Sequence, residues 1–300
     1  MQTQAKLIKE TVSCILCGSP DSREVYPHDL PSVVRCLRCG FVYASPRLKE
    51  ECVKELYSRE YFESHSSEKM GYDNYVSDRE LVEKTFRRRL EELEKKWLNK
   101  KGSVLDVGCA TGFFLNTAKG MGWRTYGVEI SDYCCEFAER EFGLKLFNGQ
   151  FKDFDGLGGP YELITMWDYL EHSFTPIRDV EQAFRHLKPG GFLAVATPDF
   201  GSWPAGFFGP NWVGFKEHEH LTYFTKKNLC GLLEQKGFKV LHAGYAGKYV
   251  SFKFFVKRLS GYFQAFGRFL GFIADRSFSK LDFYCNPYDI VYVVCQKPIS

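Results

Sequence analysis

The sequence predicts a doubly wound α/β domain preceded by a small cysteine-containing module. An apolar run from Val104 to Val107 leads into Gly108 and Gly112, and a helical pattern follows, which indicates a strand, a tight loop and a helix. A second predicted strand ends at Glu129, roughly 20 residues after the loop, where folds of this kind bind a ribose diol. Two C-x-x-C-G pairs stand near the N-terminus. These features together predict a ligand-binding parallel sheet and a metal-stabilised module.

Length and composition indicate a globular protein of about two domains. The chain has 300 residues, of which 44% are hydrophobic, so it can bury one large core and a smaller module. Its 40 basic and 37 acidic residues give a net charge of only +3, which is too balanced to indicate nucleic acid by itself, and we do not expect nucleic acid as a partner. The sequence shows no apolar secretion signal and no run of about 20 uncharged apolar residues. Because the 11 cysteines are odd in number, we expect thiols and metal ligands in a reducing cytoplasm.

The N-terminal cysteines predict a structural metal site. The pairs Cys14/Cys17 and Cys36/Cys39 are separated by 18 residues, which is the spacing of a four-cysteine zinc ribbon. A module over residues 1–45 buries too little apolar surface to fold alone, so we expect a closed, structural Zn²⁺. Unligated core cysteines and a redox C-x-x-C are the alternatives, although neither pair opens a helix after a strand.

Residues 46–101 are predicted to connect this module to the α/β domain. Within them, polar residues 64–77 predict a loop whose Tyr72 and Tyr75 either close over a substrate or lie on the surface. An amphipathic helix is predicted from Ser77 to Gly102, with its charged residues on a solvated face.

The segments VLDVGCATGFFL and YGVEIS resemble the first two motifs of class I S-adenosylmethionine (SAM)-dependent methyltransferases. The resemblance covers about Gly102 to Gln296 and implies a domain over residues 102–300. Its expected fold is a seven-stranded Rossmann-like sheet of six parallel strands and a reversed last strand. The first loop would hold the methionine end of SAM, and Glu129 would bond the ribose hydroxyls. A nucleotide-binding βαβ unit of another kind is the alternative.

Further cofactor contacts are implied by the same resemblance. Gly149 to Phe151 match the position of adenine contacts, and Trp167 ends the fourth strand. The implied SAM-binding residues are Asp106, Gly108, Cys109, Gly112, Phe113, Glu129, Ile130, Gln150, Phe151 and Trp167. Asp168 follows at the strand end where open α/β sheets hold ligands, so we expect it to face the methyl group or the acceptor.

The long aromatic segment 198–224 predicts the acceptor site, and it contains acids alternating with histidines. We expect His220 to act as a general base held in its tautomer by Glu219, because an imidazole suits proton removal near pH 7. A structural histidine and a metal site are the alternatives. HEHLTYFT resembles a segment of sugar C-methyltransferases whose catalytic Glu-His pair matches Glu219 and His220. Those enzymes have a tyrosine where this chain has Glu217, and they carry a long further domain.

A hydrophobic insertion, residues 250–283, has aromatic residues at helical spacing together with several basic residues. Such a basic amphipathic segment suits packing or a lid over the site, a dimer face, or peripheral contact with a membrane surface.

The sequence therefore predicts a cytoplasmic SAM-dependent methyltransferase that acts on a small molecule. The expected acceptor is a sugar or sugar nucleotide in polysaccharide or natural-product biosynthesis. The alternatives are RNA methylation guided by the zinc ribbon and a catalytically silent module that binds SAM or zinc. A basic surface with steep salt dependence would indicate the first, and absence of turnover would indicate the second.

Overall fold

The computed structural model describes residues 9–26, 33–52, 62, 75–216, 219–262 and 281–299. Its N-terminal strands are β1 (Lys9–Glu10), β2 (Ser22–Tyr26), β3 (Val33–Cys36), β4 (Val42–Ala44) and β5 (Arg47–Leu48). Strands β2, β3 and β4 form an antiparallel sheet, and β1 pairs with β5. The four cysteines lie in and between these strands, as the predicted ribbon requires.

A seven-stranded sheet forms the body of the protein. The remaining elements are α1 (Arg79–Lys96), β6 (Ser103–Val107), α2 (Phe113–Gly120), β7 (Arg124–Glu129), α3 (Asp132–Phe142), β8 (Phe147–Asn148), β9 (Tyr161–Trp167), α4 (Pro176–His186), β10 (Leu187–Pro198), α5 (Trp203–Phe208), β11 (Thr222–Tyr223), α6 (Lys226–Gln235), β12 (Lys239–Tyr245), β13 (Lys248–Ser251), α7 (Phe252–Tyr262), β14 (Asp282–Cys285) and β15 (Ile290–Gln296). The sheet order is β12-β15-β10-β9-β6-β7-β8. Only β15 is antiparallel to its neighbours, β10 and β12, among the paired strands of this sheet. The predicted six parallel strands with a reversed last strand are confirmed.

Alternate residues of the central strands build a core on each face of the sheet. Leu105 faces the core that contains Tyr43 of the N-terminal sheet. Val104, the preceding residue, faces the opposite core, which contains Leu90 of α1. The cysteine module and the connector helix therefore cover opposite faces of the same sheet.

A strand from late in the chain extends the N-terminal sheet. Strand β11 pairs antiparallel with β4, and this places Thr222 opposite Tyr43. The ring of Phe224 packs against Phe41, with centroids 5.4 Å apart. The segment predicted to carry the general base is thus bound directly to the cysteine module. Sequence analysis did not predict this pairing because two residues show no strand periodicity.

The connector and the insertion differ from their predicted bounds. Helix α1 begins at Arg79 and ends at Lys96, whereas Ser77 to Gly102 was predicted. Strands β13 and β14 pair antiparallel at the base of the insertion, which the aromatic helical pattern did not indicate. Residues 263–280 of the predicted insertion and residues 64–74 of the predicted loop, with Tyr72, lie outside the described residues. In the described part of the chain, no helix is both long and apolar enough to cross a bilayer.

Candidate active site

A cavity of about 260 Å³ lies at the carboxyl ends of the central parallel strands. Asp106 of β6, Glu129 of β7 and Trp167 of β9 line it. The chain extends the sheet from β6 through β7 to β8, and then returns to the other side of β6 to form β9. Ligands of open α/β sheets bind where the strand order reverses in this way. The cavity therefore occupies the position that the topology predicts for a ligand.

The loop after β6 forms one wall of this cavity. The backbone N–H groups of Gly108 and Cys109 donate to the Val128 carbonyl at 2.9 and 3.1 Å, which holds the loop against β7. Gly108 has a φ of +72°, and a Cβ there would lie 2.6 Å from Cδ2 of Tyr169, a ring that also lines the cavity. A side chain at position 108 would therefore strain the loop and collide with the cavity wall.

Gly112 and Phe113 are absent from the lining of the cavity in the described structure. Gly112 precedes α2 with a φ of +81°, and a Cβ there would contact Leu144 and Ala138 at 3.1 and 3.2 Å. Phe113 is buried against Tyr75, with ring centroids 5.3 Å apart. Both residues pack behind the loop, and neither is among the residues that line the cavity in the described structure.

Two buried carboxyl groups face the cavity side by side. Thr165 Oγ1 donates to Asp106 Oδ1 at 2.6 Å, and burial raises the pKa of Asp106 to about 8. The carboxylate of Glu129 accepts the N–H groups of Ala110 and Ser131, both at 2.8 Å. Burial raises the pKa of Glu129 as well, and these backbone donors oppose the shift. A cation or a hydroxyl-rich ligand would stabilise both groups as carboxylates.

The other cofactor residues surround these carboxyl groups. Cys109, Ile130, Gln150 and Phe151 all line the cavity. The indole of Trp167 lines it too, and its Nε1 is a buried donor that has no acceptor within the described structure. Apolar walls beside acceptor-rich carboxylates fit a nucleoside with a cationic tail.

Asp168 and His172 also line the cavity. Asp168 follows β9 with a φ of +50°, an unusual conformation for a residue other than glycine. His172 Nδ1 lies 3.0 Å from the backbone carbonyl of Glu219. Burial, with Lys216 adding to it, lowers the pKa of His172 to about 4. The imidazole is therefore neutral near pH 7.

His220 lies behind His172 rather than in the cavity wall. The two rings are perpendicular with centroids 4.7 Å apart, and among the described residues the cavity lining includes His172 but not His220. His220 Nδ1 is 2.9 Å from the Gly214 carbonyl, and burial lowers the pKa of its imidazole well below the usual value. The ring is thus turned toward the Gly214 carbonyl. A general base would instead point into the cavity.

A local turn explains this placement. The N–H groups of Glu219 and His220 both donate to the Lys216 carbonyl, at 3.2 and 2.9 Å, which holds His220 close to Lys216. Glu219 Oε2 pairs with Lys216 Nζ at 3.5 Å, and its backbone carbonyl contacts His172. Glu217 and His218 lie outside the described residues. Of the three predicted catalytic residues, only Asp168 lines the cavity.

Sequence analysis missed the cationic residues of the cavity wall, of which Lys152 is paired with Glu50 at 2.6 Å. Arg89 of α1, Lys216 and Lys248 of β13 all line the cavity. Arg89 was assigned to a solvated face, although Val82, Phe86 and Arg89 share the helical spacing of a buried stripe. That spacing was the available signal for Arg89. Lys216 and Lys248 are brought in by tertiary folding, and no local pattern marks them.

The four N-terminal cysteines converge on one point. Their sulfur atoms lie within 4.8 Å of one another, and the distances Cys14–Cys39 and Cys17–Cys36 are both 3.5 Å. Thiolates around a tetrahedral zinc ion are about 3.8 Å apart, given Zn–S bonds of about 2.3 Å. Gly18 and Gly40 close equivalent turns by donating to the carbonyls of the first cysteine of each pair, at 2.8 and 3.0 Å. The donor set fits a closed zinc site.

Comparisons with known proteins agree with this fold. Residues 76–243 match the model of a family described as a methyltransferase domain. A dTDP-4-amino-2,3,4,6-tetradeoxy-D-glucose N,N-dimethyltransferase of Saccharopolyspora spinosa is 32% identical over 36% of this chain and 44% of its own length. A ubiquinone biosynthesis O-methyltransferase of Thiobacillus denitrificans is 25% identical over 36% of this chain and 51% of its own length. The chain thus spans about half the length of these relatives. The magnesium protoporphyrin IX methyltransferase of Synechocystis, solved with bound SAH, has a similar fold with a TM-score of 0.54 at 13% identity, over 83% of this chain and 100% of that one.

Proposed function

Since the chain belongs to the methyltransferase domain family, we propose that it transfers a methyl group from SAM to a small-molecule acceptor. One observation carries the proposal: the buried carboxyl groups of Asp106 and Glu129 face one cavity at the ends of adjacent strands. Buried carboxyls beside one another are costly unless a ligand stabilises their charge. A ligand that presents both a cation and a ribose diol meets that requirement.

Different residues of the cavity bind different parts of the cofactor in this proposal. Each oxygen of Glu129 accepts one backbone N–H and retains a lone pair for a ribose hydroxyl. Asp106 lies beside it for the cationic methionine end, and Ile130 and Phe151 offer apolar surface to adenine. When bound, SAM supplies a methyl group on a sulfonium leaving group. The chain must then align the acceptor and receive its proton.

Asp168 is the proton acceptor in this proposal. It lines the cavity at the end of β9, beyond Trp167, whereas His220 lies behind His172. His220 and Glu219 act by holding residues that line the cavity. Glu219 contacts His172 through its backbone carbonyl and Lys216 through its carboxylate. They are positioning residues rather than catalytic ones.

A sugar or sugar nucleotide is the acceptor class that we propose. The HEHLTYFT segment resembles sugar C-methyltransferases, and the relative from Saccharopolyspora spinosa is named for an amino-sugar nucleotide. The proposal also includes a structural zinc ion held by Cys14, Cys17, Cys36 and Cys39, supported by the sulfur spacing.

The test is a turnover assay on the full chain. Methyl-labelled SAM is supplied with a panel of dTDP-, UDP- and GDP-sugars, and S-adenosylhomocysteine (SAH) and labelled product are quantified by mass spectrometry. Acceptor-dependent SAH in equal amount to methylated sugar nucleotide supports the proposal. Tight SAM binding with no acceptor-dependent SAH across the panel would oppose the sugar-nucleotide assignment.

A further inference from the structure

We propose that Glu171, His172 and His220 form a second metal site, which binds a divalent transition-metal ion such as Zn²⁺ or Co²⁺. A carboxylate oxygen of Glu171 and one nitrogen of each imidazole lie within 4.8 Å of one another. Two imidazoles and one carboxylate are a donor set that zinc uses in proteins. The inference goes beyond the proposed function, because such a site requires neither SAM nor an acceptor.

Two distant segments of the chain bring these three side chains together. Glu171 and His172 belong to the short helical turn Leu170–His172 that follows β9, whereas His220 lies just before β11. The N–H group of Leu221 donates to the Glu171 carbonyl at 2.7 Å. This bond fixes the residue after His220 to the turn that carries the other two ligands, so the backbone holds the cluster in place.

Backbone carbonyls determine the tautomer of both imidazoles. His172 Nδ1 lies 3.0 Å from the Glu219 carbonyl, and His220 Nδ1 lies 2.9 Å from the Gly214 carbonyl. Because a carbonyl only accepts hydrogen bonds, each neutral ring carries its proton on Nδ1 and its lone pair on Nε2. Histidines that bind metals are oriented by such a hydrogen bond from the other ring nitrogen. Both rings therefore have the tautomer that metal binding through Nε2 requires.

Glu171 supplies a buried oxygen atom that lacks a donor. The residue is 2% exposed. Its Oε2 accepts a hydrogen bond from Thr197 Oγ1 at 2.8 Å, whereas its Oε1 has no hydrogen-bond partner in the part of the chain that the structure describes. A buried carboxylate oxygen without a donor is disfavoured. A metal ion at Oε1 would stabilise it, and the bond from Thr197 would orient the carboxylate.

The acidic side chains near the cluster favour a cation. Burial, and then the negative charge of Asp168, raise the pKa of Glu171 to about 8. Lys216 opposes this shift, but its Nζ lies 3.5 Å from Glu219 Oε2, and this pairing offsets part of its charge. Asp168 and Glu219 also act to raise the pKa of His172, against burial and Lys216. A divalent ion would therefore be stabilised by carboxylates from three positions.

The second site should bind its ion more weakly than the cysteine module does. The module offers four thiolates, whereas the second site offers one carboxylate and two neutral rings. A weak chelator should therefore empty the second site and leave the zinc of the module in place. Metal analysis after this treatment should give about one zinc per chain.

The experiment titrates Co²⁺ into the full chain after dialysis against a weak chelator, without SAM or SAH. We expect saturable binding of about one Co²⁺ per chain, with an absorption spectrum that lacks the intense thiolate-to-cobalt charge-transfer bands of a cysteine site. Calorimetry gives the affinity. Glu171→Gln and His220→Gln should each weaken Co²⁺ binding by at least about 10- to 100-fold, the loss that removal of an orienting partner alone produces.

A third variant and two controls keep the test decisive. Thr197→Val removes the hydrogen bond that orients Glu171 and retains all three ligands, so it should weaken binding by about 10- to 100-fold and decides the question if the ligand variants do not fold. His242→Gln changes a half-buried histidine of β12, and Glu181→Gln changes an exposed glutamate of α4. Both controls should keep the wild-type affinity for Co²⁺.

Three outcomes would overturn the inference. Folded wild-type protein that binds no Co²⁺ has no second site. Charge-transfer bands accompanied by release of zinc would show that Co²⁺ had replaced the ion of the cysteine module. Equal weakening in the two controls, or wild-type affinity in Glu171→Gln and His220→Gln, would show adventitious binding. Because no cofactor is present, failure of the proposed function would leave the Co²⁺ result unchanged, so the two failures are distinguishable.

Discussion

Replacing Glu129 by glutamine perturbs the cofactor site with little change of shape. Glu129 is 7% exposed, and its two oxygens accept the N–H groups of Ala110 and Ser131, both at 2.8 Å. In Glu129→Gln, the new NH₂ group must face one of these N–H donors, and the charged acceptor of the ribose hydroxyls is lost. Alanine is a poorer choice because it would leave both backbone donors without an acceptor.

The size of the effect follows from the bonds removed. Hydrogen bonds to a charged group contribute about 1.5–3 kcal/mol, so the Kd for SAM should rise by about 10- to 150-fold. Movement of the backbone N–H groups away from the new NH₂ group adds to this loss of affinity, because Ala110 lies in the loop that lines the cavity. The assay is calorimetric titration of SAM at fixed pH and ionic strength.

The control is Asp132→Asn, which makes the same change of charge at an exposed position three residues along the chain. Its affinity for SAM should equal that of the wild type. If Glu129→Gln keeps both its melting temperature and its wild-type Kd, Glu129 does not hold the ribose and the cofactor assignment is wrong.

Three further predictions concern two acids and the metal. Since burial raises the pKa of Asp106 to about 8 and a cationic ligand favours its ionised form, SAM should bind up to about tenfold more weakly for each pH unit below 8. Titrations from pH 6 to 9 should show this slope in the wild type and a flat profile in Asp106→Asn; a flat wild-type profile would contradict it. Asp168→Asn should lower turnover by ~10²–10⁴ at unchanged SAM affinity, whereas His220→Asn should mainly lower the melting temperature, and a larger turnover loss in the second variant would restore His220 as the base. Metal analysis should give about one zinc per chain, and Cys36→Ser should lower both zinc content and melting temperature; full thermal stability without zinc would exclude a structural ion.

The fold was predictable because its signals are local. The run from Val104 to Gly108 and the strand ending at Glu129 carry their apolar pattern, glycine and carboxylate within a few residues. The structure gives the strand–loop–helix unit and the neighbouring strand in the predicted order. The cysteine spacing similarly placed four sulfur atoms together, since each pair occupies a single turn.

The acceptor side was less predictable because its residues meet only through tertiary contacts. His220 was predicted to act as a general base, but its N–H and that of Glu219 both donate to the Lys216 carbonyl, and its ring lies against the Gly214 carbonyl. Arg89 and Lys248 are 159 positions apart in sequence number and reach one wall only when β13 packs on α1. Helical spacing could have identified Arg89 as buried. No sequence pattern indicates that Lys248 lies near it, because the two residues meet only in the folded protein.

The most direct test of the central claim is the calorimetric titration of SAH into the full wild-type chain, followed by competition with SAM. The account predicts saturable binding of one SAH per chain in the cavity bounded by Asp106 and Glu129, with SAM displacing it. Absence of saturable binding by folded, zinc-loaded protein would contradict the account.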